Sequence, residues 1–392
     1  MKSLSKRMDH VSEALTLRIA ARAKELSKQG RKVFFFSIGE PDFPTPRAIK
    51  DKGIEAIETD FTKYTAGSGI PELRKAISAD LTGRLGLPYA PEEIAVTIGG
   101  KFAIAAAVLA SCDPGDEVVI PLPCFPSYFD QARLAQAIPV PVTPSEENGF
   151  RLTRSQLEAV CTPRTKMLLL NTPHNPTGVV YSREDLAPLA AFIKESGIYA
   201  VADEVYERLI FGGQRHASLA SFPEIRDQVF LVNSFSKTYC MTGWRIGYCA
   251  APKALSSAVA AVQSHMNSSA NSIAQWAAVG ALEGSQEPVD RMLAVFERRR
   301  DLMVELASTI PDITFPRPDG AFYLFINITR YLGGRARNSF EAAMYLLEEH
   351  GLAVMPGSAF GTEGFIRLSY AVSDEDIRNG MQELKSGLEA LR

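Results

Sequence analysis

Short apolar runs alternate with amphipathic helical stretches through the middle of the chain. The apolar runs occupy residues 94–98, 117–121, 166–170, 198–202 and 229–232. Apolar strands that are separated by amphipathic helices form a mostly parallel sheet with helices on both faces. The sequence therefore predicts an α/β fold. From about residue 287, a long helical pattern predicts a connector to a smaller C-terminal α+β unit.

Candidate functional residues follow several of these strands. Ligands of parallel sheets bind beyond the carboxyl ends of the strands, so residues at those ends are expected to lie close together. The residues at these positions are Gly99, Gly100, Asn171, Asp203, Ser234 and Lys237.

Lys237 lies in the segment that says most about function. It follows the apolar run at 229–232, it has Ser234 and Ser236 beside it, and Arg245 begins a second strand-like run. A lysine held in this way can form a Schiff base with an aldehyde. An aldehyde cofactor would also need a cradle for a phosphate, a carboxylate for a ring nitrogen, donors for a phenolate oxygen and a flat wall for the ring.

The turn Gly99-Gly100-Lys101 is the candidate phosphate cradle, because free backbone N–H groups and the helix dipole favour an anion there. The other interpretation of this turn is an ordinary connection between a strand and a helix. The side chains that could complete an anion site are Ser234, Ser236 and Arg245.

The other three requirements each have one candidate or pair of candidates. Asp203 ends an apolar run and could pair with a protonated ring nitrogen, although a helix N-cap is the alternative interpretation. Asn175, in a loop stiffened by two prolines, and Tyr206 could both donate to a phenolate oxygen. Phe125 could stack on a planar ring, or it could be a core aromatic residue.

Composition and residue spacing limit which ligands and which cellular compartment are expected for this protein. The formal net charge of −3 gives no electrostatic reason to expect nucleic acid or an anionic membrane surface. Neither cysteine nor histidine spacing matches a metal site, so no metal is expected. No apolar run approaches the roughly 20 residues of a membrane span, and the first 30 residues lack a signal-peptide pattern. We therefore expect a cytoplasmic protein that binds small molecules.

Together and in order, these residues resemble the class I/II aminotransferases, which are fold type I enzymes that use pyridoxal phosphate. The runs that are similar to the family's motifs are Gly39-Glu40-Pro41-Asp42-Phe43, Lys63-Tyr64, Gly69-Ile70-Pro71-Glu72-Leu73-Arg74, Gly99-Gly100-Lys101, residues 171–178, Asp203-Glu204-Val205-Tyr206, residues 234–247, Gly320-Ala321-Phe322-Tyr323 and Arg367-Leu368-Ser369-Tyr370.

The resemblance implies a division into domains. Residues 48–284 would form a large cofactor-binding domain with a mostly parallel seven-stranded sheet. Residues 1–47 would be an N-terminal arm and part of a small domain, and residues 285–392 a connector helix and the rest of that domain. It also implies a homodimer with active sites at the subunit interface.

Roles in cofactor binding also follow from the resemblance. Lys237 would bind the aldehyde and then move the proton during transfer of the amino group. Asp203 would hold the ring nitrogen, Tyr206 and Asn175 the phenolate oxygen, and Phe125 the ring face. The residues around the phosphate would be Gly99, Gly100, Lys101, Ser234, Ser236 and Arg245, joined by Tyr64 from a second subunit.

The implied reaction moves an amino group from an L-amino acid to a 2-oxo acid such as 2-oxoglutarate. Arg367 would bind the α-carboxylate of the substrate, with help from Asn175 and the backbone of Gly39. The N-terminal part of the chain resembles the bacterial branch with aspartate and aspartate/prephenate aminotransferases. In that branch, a lysine at the position of Lys101 can hold the distal carboxylate of an acidic substrate. The alternative interpretation is that Lys101 contributes only its backbone N–H to the cofactor phosphate. Aspartate or glutamate is the expected donor.

Three features leave other donors and reactions open. Phe125 stands where the family usually has Trp or Tyr, His174 replaces a residue that varies, and residues 264–273 offer no arginine for an acidic substrate. An aminotransferase for aromatic or neutral amino acids is the first alternative. A β-lyase or an enzyme like 1-aminocyclopropane-carboxylate synthase would share Lys237, Asp203 and Arg367.

Overall fold

The computed structural model describes Ser5, Met8, Val11 and residues 15–392. Most of the predicted N-terminal arm before residue 15 lies outside these residues. The α-helices are α1 (Leu15–Lys28), α2 (Arg47–Glu58), α3 (Pro71–Leu85), α4 (Gly100–Ser111), α5 (Ser127–Leu134), α6 (Arg154–Val160), α7 (Arg183–Ser196), α8 (Phe235–Thr238), α9 (Lys253–Met266), α10 (Ser272–Glu283), α11 (Glu287–Ala307), α12 (Ser339–His350) and α13 (Asp374–Leu391).

The strands belong to one large sheet and two small ones. They are β1 (Phe34–Phe35), β2 (Ile94–Thr97), β3 (Glu117–Pro121), β4 (Ile138–Val142), β5 (Thr165–Asn171), β6 (Tyr199–Asp203), β7 (Val229–Ser234), β8 (Gly247–Ala250), β9 (Tyr323–Asn327), β10 (Leu352–Ala353), β11 (Met355–Pro356) and β12 (Phe365–Ser369).

The large sheet has seven strands in the order β2-β8-β7-β6-β5-β3-β4. β8 is antiparallel to both of its neighbours, and the other pairs are parallel. The predicted α/β class with a mostly parallel seven-stranded sheet is therefore confirmed. β4 is an edge strand that contains Pro139 and Pro141, and proline is tolerated there because an edge strand has one unpaired side.

Helices cover the sheet on both faces, as the alternating pattern predicts. One buried cluster packs side chains of α3, α7 and α10 against the sheet, and a second packs α4, α5 and α9 against the opposite face. Because both faces are buried, the inner strands are apolar along nearly their whole length.

A third core joins the two ends of the described chain. It contains Ile19 and Phe36 from the N-terminal part and side chains of α11, α12 and α13 around the antiparallel sheet β11-β12-β9. Helix α11 begins at Glu287, where the sequence pattern places the connector. The domain boundaries after residues 47 and 284 stay a prediction.

None of the helices in residues 15–392 combines the length and the apolar character that crossing a membrane requires.

Candidate active site

The register of the parallel strands brings the carboxyl ends of β5, β6 and β7 side by side. Asn171 pairs with Asp203, and Asp203 pairs with Val232 two residues before Ser234. The side chain of Asn171 fixes the loop that follows it: its Nδ2 donates to the Asp203 carbonyl at 2.8 Å, and its Oδ1 accepts from the Asn175 N–H at 2.8 Å. The loop with Asn175 is thereby held beside Asp203.

Lys237 lies on α8, one turn beyond the end of β7, where the Ser234 side chain caps the helix. Its Nζ donates to the carbonyl oxygen of Gly39 and lies 6.0 Å from the centroid of the Tyr206 ring. Burial, the largest effect, and the positive charge of Arg367 together lower the pKa of Lys237 to about 8, against the opposing charge of Glu40. A substantial fraction of this amine is therefore neutral, and so nucleophilic, near physiological pH.

Asp203 is a buried carboxylate without a cationic partner. Its Oδ2 accepts from the Tyr128 hydroxyl at 2.5 Å, and its Oδ1 accepts from the Val205 N–H at 3.3 Å. The second contact is the local cap-like bond that the sequence offered as an alternative. None of the ion pairs among the described residues includes Asp203, and burial raises its pKa to about 6. A cation placed against it would restore full ionisation.

The predicted phosphate cradle is assembled at the start of α4. Gly99 has φ of +94°, and a Cβ there would lie 2.6 Å from Nη2 of Arg245, so a side chain would strain the backbone and displace the Arg245 guanidinium. Arg245 donates to the carbonyl oxygens of Thr242 and Ile98, and no described carboxylate neutralises it. The predicted anion site therefore consists of the Arg245 guanidinium, the N-terminus of α4 and the hydroxyls of Ser234 and Ser236.

The two hydroxyls of this cradle contact each other. Ser234 Oγ lies 2.8 Å from Ser236 Oγ, and a Cβ added at Gly100 would lie 3.5 Å from Cβ of Ser234. The structure therefore brings together Gly99, Gly100, Ser234, Ser236 and Arg245, which the sequence placed in three separate segments.

Arg367, from β12 of the small antiparallel sheet, is a buried cation that forms no ion pair with a carboxylate of residues 15–392. Its Nη1 donates to Oδ1 of Asn175 and its Nη2 to the carbonyl oxygen of Ser37, each at 3.0 Å. Its Nε is buried and has no hydrogen-bond partner. The Tyr323 ring stacks against the guanidinium, with its centroid 4.2 Å from Cζ of Arg367. An unpaired guanidinium with an unused donor fits a carboxylate ligand.

Aromatic side chains line the space between these charges. The hydroxyls of Tyr206 and Tyr323 are 2.9 Å apart, and burial raises the pKa of Tyr206 well above its usual value, so both stay protonated. The Phe125 ring is half-buried, and Nζ of Lys101 lies 5.1 Å from its centroid. Burial, together with Arg245, lowers the pKa of Lys101.

Tyr64 is the predicted site residue that this single chain does not bring to the others. Its side chain is 92% exposed, and no hydrogen bond or ring contact of the described residues joins it to the groups above. The sequence assigned it to a second subunit, and that assignment stays a prediction.

Two site residues had no assigned role at the level of sequence. Tyr128 follows Phe125 by three residues, and no sequence motif distinguishes it from a core aromatic residue. His174 was noted only as a departure from the family motif. It is buried, its Nδ1 lies 2.7 Å from Thr177 Oγ1, and burial lowers its pKa to about 4, so the ring is neutral. It hydrogen-bonds the backbone of Pro123 and so joins the Asn175 loop to the segment before Phe125.

A separate buried ionic cluster follows Asp203 along the chain. Glu204, Glu207 and His216 have ligand-type atoms within 4.8 Å of one another. Arg84 binds both oxygens of Glu207, and the His216 ring bonds Glu204 at 2.6 Å, where the charge of Glu204 outweighs burial and raises the pKa of His216. The carboxylates are thus already partnered. The expectation that the chain binds no metal stays a prediction.

Comparisons with known proteins agree with this geometry. The family model "Aminotransferase class I and II" matches residues 31–384, so the chain belongs to that family of aminotransferases. A probable aspartate/prephenate aminotransferase from Aquifex aeolicus is 42% identical over the full length of both chains.

Two solved structures are similar over nearly the whole chain. The aspartate aminotransferase from Rhizobium meliloti has a TM-score of 0.95 and 38% identity, and 99% of each chain is covered. The aspartate aminotransferase from Thermus thermophilus with maleate has a TM-score of 0.94 and 37% identity, with 99% of this chain and 100% of the other covered.

Enzymes of this family depend on pyridoxal phosphate, and the residues described here fit that cofactor. The unpaired Asp203 carboxylate suits its ring nitrogen, and the cradle around Arg245 suits its phosphate. Lys237 suits its aldehyde, and the unused donor of Arg367 suits a substrate carboxylate. When bound, the cofactor supplies an aldehyde and an electron-accepting ring.

Replacing Asp203 with Asn should change how the stability of the cofactor-free protein depends on pH. The raised pKa means that the folded state binds more protons than the unfolded state between about pH 4 and pH 6, so wild-type stability falls as pH rises through that window. Relative to wild type, Asp203→Asn should gain roughly 2–3 kcal/mol in unfolding free energy from pH 4 to pH 7. Denaturant titrations of both apo-proteins measure this, and a difference that is independent of pH would contradict it.

Proposed function

We propose that this aminotransferase transfers the amino group of a dicarboxylic amino acid, aspartate or glutamate, to a 2-oxo acid such as 2-oxoglutarate. The observation that supports this most is the presence of two cations close enough to act on the charge of the Lys237 amine: Arg367, with its unused donor, and Lys101, above the Phe125 ring. Relatives named for aspartate and for aspartate/prephenate, and the Thermus structure with the dicarboxylate maleate, support the same substrate class.

In this proposal, the residues of the site have distinct tasks. Lys237 would take the proton from the α-carbon of the substrate and return it at the carbon that bears the cofactor's aldehyde, because its lowered pKa makes it a usable base near neutrality. Asp203 would hold the positive ring nitrogen. Asn175 and Tyr206 would hold the phenolate oxygen, and Phe125 would hold the ring face.

The substrate would be oriented through its carboxylates. Arg367 binds the α-carboxylate in a pocket that also contains Asn175 and the Gly39 backbone, and burial makes this charge pairing stronger than it would be in water. Lys101 would then bind the distal carboxylate through its amine, which lies beside the Phe125 ring. The backbone of Lys101, with Gly99 and Gly100, would contribute to phosphate binding, so the two tasks of this residue use different atoms.

Replacing Lys237 with Ala should abolish turnover, with a loss of at least 10²–10⁴-fold, roughly the value of a positioned general base. It should also abolish covalent capture of the cofactor, because the amine that condenses with the aldehyde is gone. Borohydride reduction followed by intact-mass measurement tests this. The exposed Lys253 provides a control, since Lys253→Ala should retain the adduct. An adduct on the Lys237→Ala protein would contradict the assignment.

Replacing Lys101 with Met should weaken the use of aspartate and glutamate while a neutral donor such as alanine is unaffected. Loss of one charge-assisted hydrogen bond predicts a rise in KM of about 10–100-fold for the acidic donors. A panel of amino acids in single-turnover half-reactions with the wild type and the variant measures this.

The same panel distinguishes the alternatives. If Lys101→Met lowers only the affinity for pyridoxal phosphate, the distal-carboxylate role is wrong. If the wild type prefers aromatic or neutral donors, the dicarboxylic proposal is wrong. Release of ammonia and pyruvate in place of half-transamination would indicate a β-lyase.

We also propose that the active enzyme is a homodimer. Exposed apolar side chains cluster on α2, the loop after it and the end of α9, and exposed apolar groups of this kind mark association surfaces. They are Ile54, Ile57, Phe61, Tyr64 and Met266. Association of two copies through this surface would bury these side chains. It would also place Tyr64 at the cofactor phosphate of the partner's active site.

Mixing two inactive variants tests the dimer. Lys237→Ala removes the amine of its own site, and Tyr64→Ala removes a phosphate ligand from the partner's site. A mixed dimer then has one site with both defects and one intact site, so activity should reappear on mixing. As a control, the Lys237→Ala protein taken alone through the same mixing procedure should stay inactive. No recovery, in mixtures shown to contain mixed dimers, would place Tyr64 outside the active site.

The domain division at residues 47 and 284 and a cytoplasmic location are further parts of the proposal. The first is supported by the separate core around β9, β11 and β12. The second is supported by the five cysteines, which are all free thiols.

A further inference from the structure

Tyr128 contacts two groups of the active site at once. Its hydroxyl lies 2.5 Å from Oδ2 of Asp203, and its ring meets the Phe125 ring edge-on, with centroids 5.6 Å apart and planes at 77°. The side chain is 2% exposed. Tyr128 therefore contacts both Asp203, the expected partner of the cofactor's ring nitrogen, and Phe125, the expected stacking residue for the ring.

We propose that Tyr128 is a positioning residue for the aminotransferase reaction, which keeps the Asp203 carboxylate ionised and directed at the ring nitrogen of the cofactor. The proposal rests on the role of Asp203 in the function proposed above. No motif assigned such a role to Tyr128, because a tyrosine between Phe125 and Phe129 has the same sequence pattern as a core aromatic residue.

The direction of this hydrogen bond follows from the chemistry of the two groups. An ionised carboxylate can only accept, so the phenol must donate. Burial, reinforced by the charge of Asp203, raises the pKa of Tyr128 well above its usual value, which keeps the donor proton on the phenol. A donated hydrogen bond stabilises the charged form of a carboxylate and opposes the effect of burial.

The surroundings of Asp203 leave Tyr128 as its main stabilising contact. The Val205 N–H reaches the other oxygen at 3.3 Å, the Lys237 charge acts over a longer distance, and Glu204 opposes ionisation. Without the phenol, the carboxylate would keep only the weak backbone contact. The orientation of Oδ2 would also be lost, since the remaining hydrogen bond holds Oδ1.

Helix α5 makes this geometry rigid. Tyr128 is in the first turn of α5, and one turn later Gln131 Nε2 donates to the Lys101 carbonyl at 2.8 Å. The helix is thus bonded to the start of α4, where the phosphate cradle lies. A contact made from packed helices holds its geometry better than one made from a loop.

The competing explanation is that Tyr128 only fills space in the core. The hydroxyl separates the two explanations, because Tyr128→Phe keeps the ring and removes the donor. The affinity of the apo-protein for pyridoxal phosphate should fall about 10-fold, the value of a hydrogen bond to a charged group. For a cofactor analogue with carbon in place of the ring nitrogen, the affinity should be the same in the wild type and the variant, because that analogue has no charge for Asp203 to meet.

Two further readouts distinguish positioning from packing. In Tyr128→Phe, kcat should fall while KM for the amino donor stays within about twofold, since the substrate carboxylate is bound elsewhere. The matched control is Tyr89→Phe, which removes a buried hydroxyl that has no hydrogen-bond partner and should leave the affinity unchanged. Equal losses of affinity for the cofactor and for the analogue, or no loss for either, would overturn the proposal.

A variant without the buried carboxylate gives an independent test of the pairing between Tyr128 and Asp203. Asp203→Asn should weaken pyridoxal phosphate binding, and adding Tyr128→Phe to it should have no further effect, because coupled residues are not additive. A further loss in the double variant would overturn the role of Tyr128 alone. If Asp203→Asn bound the cofactor as the wild type does, the proposed role of Asp203 itself would be wrong.

Discussion

Parallel hydrogen bonding between β5, β6 and β7 determines where the charges of the active site lie. The register sets Asn171 against Asp203 and brings Lys237 within one helical turn of the same edge. Because the strands are apolar and covered on both faces, their carboxyl ends are the places where polar side chains can face a cavity. The chemistry of the site therefore depends on the packing of the whole sheet.

The second constraint on the site is the presence of buried charges without an ion-pair partner among the described residues. Among the described residues, Asp203 has no cationic partner and Arg367 has no acidic partner, although burial of a lone charge is unfavourable. The buried Glu207, by contrast, forms an ion pair with Arg84. This contrast supports the proposal that Asp203 and Arg367 bind charged groups of ligands. Burial, together with Arg367, gives Lys237 a pKa low enough for acid–base work.

Much of the fold was predictable because its signals are local. Apolar runs of the inner strands and the start of α11 at Glu287 match the sequence pattern to within one or two residues. β4 was missed because Pro139 and Pro141 break the pattern of a strand, and only its edge position makes them acceptable. Tyr128 was missed for a related reason: a tyrosine that bonds a carboxylate looks the same in sequence as one that fills the core.

The sequence by itself determined the fold class, the family and the set of reactive residue types. These follow from hydrophobic periodicity and from short motifs, which are properties of neighbouring residues. Only the tertiary structure decided which charges stay unpaired, which hydroxyl donates to Asp203 and where Arg367 lies relative to Asn175. Those residues are far apart in the chain, as in the 192 positions between Asn175 and Arg367, so their contacts exist only after the strands and the two sheets have packed.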